Sequence, residues 1–233
     1  MQRQTPLLLI ASQLCTARVW QAQIDALRPG VECRTADHTR HDSMTSLATS
    51  ILNDAPASFA LAAHGMGGFI AFEIMRQAPN RVDRLALFDT LASADSAAQT
   101  KRRQRYADLV HAGQFDQVVE DRIPILLHPN RQNDTLLLSI ARQMAAETGP
   151  DAFLRQQAAI MARQDSRPDL KSINCPTLVA LGRQDRITSV NDARTIADGV
   201  PGARLEVIEN CGHLAPLEQP EQVTQLLKEW LEV

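Results

Sequence analysis

Leu61-Ala62-Ala63-His64-Gly65-Met66-Gly67-Gly68 stands between an apolar run, Phe59–Ala63, and a segment of helical period that reaches Gln77. The run has no polar alternation, which marks a strand covered on both faces. Ala63, Gly67 and Gly68 are small enough for the backbone to double back between them. A helix starting there aims its first amides, which have no partner inside the helix, at whatever occupies the turn. Strand, sharp turn and helix therefore follow one another within about twenty residues, a spacing typical of one unit of a parallel sheet.

Outward from this unit, short apolar runs alternate with longer segments of helical period. This is the signature of an α/β protein with a mostly parallel sheet flanked by helices. Leu7–Ala11 reads as the first strand, followed by a helix over Ala17–Leu27 that stops at Pro29-Gly30. Val31–Ala36 is less apolar and is expected near an edge. Ser43 caps a helix running to about Asn53. Leu85–Phe88 is the strand after Pro79-Asn80. The rhythm then stops between Ser93 and Asp169, where Gly113, Pro124, Pro129 and Gly149-Pro150 punctuate about four short helices. It resumes with Thr177–Leu181, a helix near Val190–Asp198, the strand Arg204–Ile208 and a helix from about Glu218 to Leu231. Residues 1–92 and 170–233 are thus expected to form the core and 93–169 a helical cap.

The 233 residues carry a net charge of −3, which supplies no pull toward nucleic acid or anionic membrane. Lys101-Arg102-Arg103-Gln104-Arg105 lies in a helical pattern and reads as a solvated helix face. No apolar stretch is long enough to span a bilayer. Arg3 followed by Leu7–Ala11 only faintly imitates a signal peptide, and a buried strand explains it better. Cys15, Cys33, Cys175 and Cys211 show no paired spacing and read as reduced thiols of a cytoplasmic protein. His38 and His41 lie in a polar stretch without a second ligand pair, so a surface loop and no metal are expected. No cofactor is implied, and the expected partner is a small-molecule substrate.

The strand-turn-helix at Gly65 has the form of a nucleophile elbow. Here the chain resembles the α/β-hydrolase superfamily, particularly its small esterase- and lactonase-like members. Their elbow reads G-H-S-M-G-G, followed by P-x-R-V-x-x-L-x-L-x-D. This chain has Ala63-His64-Gly65-Met66-Gly67-Gly68 and then Pro79-Asn80-Arg81-Val82, ending at Asp89. The resemblance continues at Cys175-Pro176-Thr177 through Gly182-Arg183-Gln184-Asp185, and at Cys211-Gly212-His213 with Glu218 and Pro220 following. It implies that Asp185 is the acid, that His213 is the histidine and that position 65 is the nucleophile's. It further implies that the amides of Met66 and Gln13 form an oxyanion hole beside Ser12.

Two departures shape the functional expectation. Gly65 has no side chain to attack a carbonyl. The loop after the first strand reads Ala11-Ser12-Gln13, where the family carries His-Gly or Pro-Gly. Ser12 and Cys15 are alternative nucleophiles, but on the sequence a loop serine and a buried thiol describe them better. His64 reads as packing against strand ends. Three functions remain open. The first is a hydrolase of a small ester, thioester or lactone whose serine has been replaced deliberately by Gly65, to trap a ligand or silence turnover. The second is a non-hydrolytic lyase- or oxygenase-like enzyme using the His213–Asp185 dyad. The third is a binding protein without chemistry. Aromatic content of only 4% points to a compact, aliphatic pocket.

Overall fold

Strand β3, Phe59–His64, is buried along its whole length at the middle of a parallel sheet. The computed structural model describes residues 5–232, so Arg3 lies outside the described residues. The other strands are β1 (Leu7–Ile10), β2 (Cys33–Thr35), β4 (Val82–Phe88), β5 (Thr177–Gly182) and β6 (Arg204–Ile208). Their order is β2-β1-β3-β4-β5-β6, and every neighbouring pair is parallel. β2 is the edge strand expected from its polar character. The chain starts at β1, moves outward to β2, then crosses back to lay β3 on the other flank of β1. The loops leaving β1 and β3 therefore diverge and open a crevice at the carboxyl ends of the strands.

Alternate residues of each strand enter two separate cores, as a sheet buried on both faces requires. Leu7, Leu9, Ala60, Ala62, Ala86 and Phe88 face one side; Leu8, Ile10, Phe59, Leu61, Leu85 and Leu87 face the other. Helix α1 (Gln21–Leu27) covers the first face. Helices α2 (Met44–Asp54) and α3 (Met66–Gln77) cover the second. The Ser43 side chain accepts the Ser46 amide and fixes the start of α2, as its sequence predicts.

Between β4 and β5 come α4 (Ala97–His111), α5 (Phe115–Leu126) and α6 (Thr135–Met161). The last bends at Gly149, where φ is 73°, and Pro150 restarts it, so the insertion has four α-helical pieces, some longer than the punctuation suggests, besides short 3-10 turns such as Pro129–Arg131. Pro124 does not end α5 at once but falls in its final turns. Asp95, almost wholly buried, clamps the insertion's two ends by pairing with Arg103 at 2.6 Å and Arg163 at 2.7 Å. The core resumes with α7 (Val190–Gly199), a single turn α8 (Ala215–Glu218) and α9 (Pro220–Leu231), which packs beside α1. No described helix is long and apolar enough to cross a membrane.

Gly67 lets α3 rest directly on the end of β1. A Cβ there would stand 2.7 Å from the Ile10 carbonyl oxygen and 3.0 Å from that of Ala11. Backbone cannot yield as a flexible side chain does. Gly67→Ala is expected to lower unfolding free energy by about 1–3 kcal/mol in urea titrations, despite alanine's better helix propensity. Unchanged stability would show that α3 can slide off β1.

Candidate active site

Gly65 makes the turn out of β3 with φ 55° and ψ −114°, immediately before α3. Its amide donates to Phe88 O at 2.9 Å, and its carbonyl accepts from Thr90 Oγ1 at 2.8 Å and from the Gly68 amide at 3.0 Å. Three bonds thus hold a backbone conformation that L-residues seldom adopt.

The carboxyl ends of β5 and β6 supply a histidine–carboxylate pair. Asp185 follows β5 and His213 follows β6, and Nδ1 of His213 lies 2.8 Å from Asp185 Oδ2. Asp185 Oδ1 also accepts the amides of Ile187 at 2.7 Å and Thr188 at 3.1 Å, and Thr188 Oγ1 donates to Oδ2. Burial pushes the Asp185 pKa upward, but the His213 charge and these hydrogen bonds outweigh it and leave the carboxyl below its ordinary value. Asp89, fully buried at the end of β4, behaves oppositely. Burial and then the negative charge of Asp185 hold its pKa well above the usual range. Of the two carboxyls under the crevice, the one bonded to His213 is the one that ionises readily.

Several groups fix the His213 loop. The His213 amide donates to Leu126 O of α5 at 2.7 Å, and Glu218 accepts the amides of Gly212 at 2.9 Å and His128 at 2.7 Å. His64 Nε2 donates to the His213 carbonyl at 2.7 Å. Burial, then the nearby His213, lowers the His64 pKa to about 3, so the ring stays neutral and acts as a brace. It packs edge-on against Trp20, in keeping with its reading as a strand-end residue.

Ser12 stands where the elbow lacks a side chain. A Cβ added to Gly65 would overlap Ser12 Oγ, lie 2.7 Å from Ser12 Cβ and face His213 Nε2 at 3.3 Å. Ser12 Oγ accepts the Met66 amide at 3.2 Å, so the first amide of α3 is already engaged. The register explains the encounter: Ile10 pairs with Ala63, which brings the loop after β1 alongside the turn after β3. His38 holds that loop, its Nε2 donating to Ser12 O at 3.0 Å. The sequence places His38 on a surface loop, whereas it is buried because the chain after β2 folds back over Ser12. Cys15 is also buried, which pushes its pKa up to about 12 and leaves it without thiolate reactivity.

Ser12, Gln13, Gly65, Met66 and His213 meet at one cavity of about 40 Å³, with Asp185 behind the histidine. Both ends of the Gln13 side-chain amide are buried there without a partner. The cavity is not the aliphatic pocket that the composition suggests. The insertion contributes Arg102, Arg103 and Arg122 to its lining, together with Ile160. Arg102 and Arg103 belong to the cluster read as a solvated face; Lys101 and Arg105 are exposed as expected, while Arg103 turns inward to Asp95. Arg122 gave no sequence signal of its own. Among the described residues no group of three or more His, Cys, Asp or Glu side chains could hold a metal ion.

A six-stranded parallel sheet flanked by helices, with a sharp strand-to-helix turn at the crevice and an acid and a histidine after later strands, is the α/β-hydrolase fold. Residues 16–226 match the alpha/beta hydrolase family, and the chain belongs to it. It is similar in structure to a thermophilic esterase from Thermogutta terrifontis, with a TM-score of 0.89 and 28% identity, covering 98% of this chain and 89% of that one. The enol-lactonase from Burkholderia xenovorans shares the fold, with a TM-score of 0.87 and 20% identity over 98% and 92% of the two chains. In sequence, the chain is 23% identical to the pimeloyl-[acyl-carrier protein] methyl ester esterase of Nitrosomonas europaea, over 88% of this chain and 86% of that protein.

Two outcomes follow from this geometry. Gly65→Ser alone introduces a Cβ against Ser12 and a side chain at positive φ, and it is expected to lose about 1–3 kcal/mol of stability. Equal stability by urea unfolding would show that the Ser12 loop yields freely. The depressed pKa of Asp185 carries a pH signature. Its ionised form contributes stability above its unfolded value near 3.8, and that contribution is lost as pH falls through the lower folded value. The stability deficit of Asp185→Asn should therefore be largest near neutrality and close in acid below that value. A deficit independent of pH would contradict the assignment.

Proposed function

We propose that the protein hydrolyses a small ester, thioester or lactone, and that Ser12 supplies the hydroxyl that Gly65 cannot. One observation carries the proposal: Ser12 Oγ fills the space of the absent Gly65 side chain, the same space that His213 Nε2 faces. Because Oγ accepts from the Met66 amide, its own hydrogen is free to point elsewhere, and His213 Nε2 is the base at hand. In the reaction, Ser12 Oγ attacks the carbonyl carbon as His213 Nε2 takes its proton. The imidazolium, steadied by Asp185, then protonates the departing oxygen or sulfur. Water, deprotonated by His213, releases the acyl group from Ser12. The Gln13 side-chain amide, unpartnered and lining the cavity, supports a role for Gln13 as donor to the oxyanion. The esterase among the similar solved structures and the methyl ester esterase among the relatives support this reaction class.

A second reading has its own observation. With the Met66 amide engaged by Ser12, the usual pair of backbone donors is incomplete. That favours chemistry in which His213 deprotonates water or the substrate without a covalent intermediate. The intact dyad disfavours a pure binding protein, which has no chemical need of it. Ser12→Ala separates the two reactions. Under the covalent route, turnover of a panel of small esters, thioesters and lactones falls by about 10³-fold or more, and a fluorophosphonate labels the parent protein at Ser12. Under the other route Ser12→Ala keeps its activity and no label attaches. Turnover surviving in His213→Ala would overturn both.

A further inference from the structure

The three arginines at the cavity have unequal partners. Arg103 Nε pairs with Asp95 at 2.6 Å, and its Nη1 donates to Gln157 Oε1 at 3.3 Å. Arg102 is exposed to solvent. Arg122, on α5, is only 8% exposed, pairs with no described carboxylate, and its Nε is buried without a hydrogen-bond partner. Its guanidinium carbon lies 5.4 Å from the Tyr106 ring centroid, so Tyr106 favours the cation in part, while the like charges of Arg103 and Arg102 oppose it. Burial, then Arg103, lowers its pKa to about 10, which still leaves a cation at neutral pH.

A buried guanidinium with no carboxylate partner is costly, because removing its hydration is only partly offset by one aromatic neighbour. Arg122 is not needed to neutralise Asp95, which already has two arginines. Nor does it cap α5, since it lies a full turn before the helix end at Leu126. What its position offers is an unmet positive charge on the wall of the cavity that also holds Ser12, Gly65 and His213. Gln13, with both ends of its amide unpaired, waits on the same cavity.

We infer that the substrate bears a carboxylate, which pairs with Arg122 while its scissile carbonyl lies over Gly65. The inference rests on reading this cavity as the substrate site. A planar carboxylate matches the fork of a guanidinium with two parallel hydrogen bonds. A tetrahedral phosphate offers no such coplanar pair of oxygens, so the phosphate arm of the test distinguishes the two anions. The half-esters, half-thioesters and lactone acids of short dicarboxylic acids have this form. Their hydrolysis releases a diacid, or a hydroxy diacid from a lactone, so the reaction that supplies the substrate must join one carboxyl of such an acid to an alcohol, a thiol or its own hydroxyl and leave the other free.

Binding of products tests this without turnover, so failure of the hydrolase reading and failure of this one are distinguishable. Calorimetric titration of the unmodified protein with succinate, glutarate, succinamide and inorganic phosphate is the first arm. At least one diacid should bind, with succinamide about tenfold or more weaker and phosphate weaker than the diacid. Arg122→Gln should then weaken the diacid by about ten- to a hundredfold, while the ligand-free variant unfolds in urea no earlier than its parent. Succinamide binding as well as succinate, phosphate binding better than either diacid, or neither diacid binding would overturn the inference. So would an Arg122→Gln protein that keeps its diacid affinity, or one that is markedly less stable without ligand, since that would make Arg122 structural. Should Arg122→Gln not fold, the diacid-to-diamide comparison on the unmodified protein decides alone.

Discussion

The parallel register of β1 on β3 is the constraint from which the site follows. Ile10 opposite Ala63 sends the two strands' exits into the crevice side by side, one toward β2 and the other into α3. Gly67 keeps α3 pressed on the Ile10 and Ala11 carbonyls, so neither exit can withdraw from the other. Two chain segments then compete for one small volume above the turn. Ser12 occupies it and Gly65 vacates it. Two hydroxymethyl groups do not fit there, and with glycine at both positions His213 would face no hydroxyl at all. The pair of residues reads as a single design in which a hydroxyl is carried by the loop after β1 rather than by the elbow.

What surrounds that volume is rigid and electrically asymmetric. His213 is held through its backbone from both sides, by Leu126 of the insertion and by His64 of β3, and its ring is held by Asp185. Asp89 and Asp185 lie beneath the same crevice with pKa values displaced in opposite directions, which keeps one ionised carboxylate rather than two in a buried space. The insertion does more than cover the crevice. Through Leu126 it shares a hydrogen bond with the His213 loop, and through Arg122 it brings a positive charge, so substrate capture and dyad geometry are linked within one helix, α5. A carboxylate drawn to Arg122 would share its cavity with His213.

The sheet strands were legible because burial on both faces leaves unbroken apolar runs, and the elbow because small residues crowd a strand-to-helix junction. Asp185 and His213 were legible from the motifs around them, and the structure brings the two side chains together. What the sequence concealed depends on register and on helix rotation. Nothing local to Ser12 shows that its hydroxyl lies over Gly65; that depends on which residue of β1 pairs with which of β3. His38 looks like a polar loop residue until the chain after β2 closes over Ser12. The arginines of α4 follow a pattern too evenly polar to reveal which face turns inward, and Asp95, their buried anchor, is one unremarkable aspartate in a polar stretch.

The central claim is that one hydroxyl, held in the space between residues 12 and 65, serves His213. The most direct measurement is turnover of the best ester or thioester substrate by Ser12→Gly, Gly65→Ser and the double variant that exchanges the two residues. The account predicts that Ser12→Gly is nearly inactive and that Gly65→Ser is crowded and impaired. The exchanged protein, with its hydroxyl on the elbow and the Met66 amide released, should recover at least tenfold over either single variant, a non-additivity expected only of residues in contact. Effects of the two substitutions that simply add, with the exchanged protein no better than the worse single variant, would contradict it.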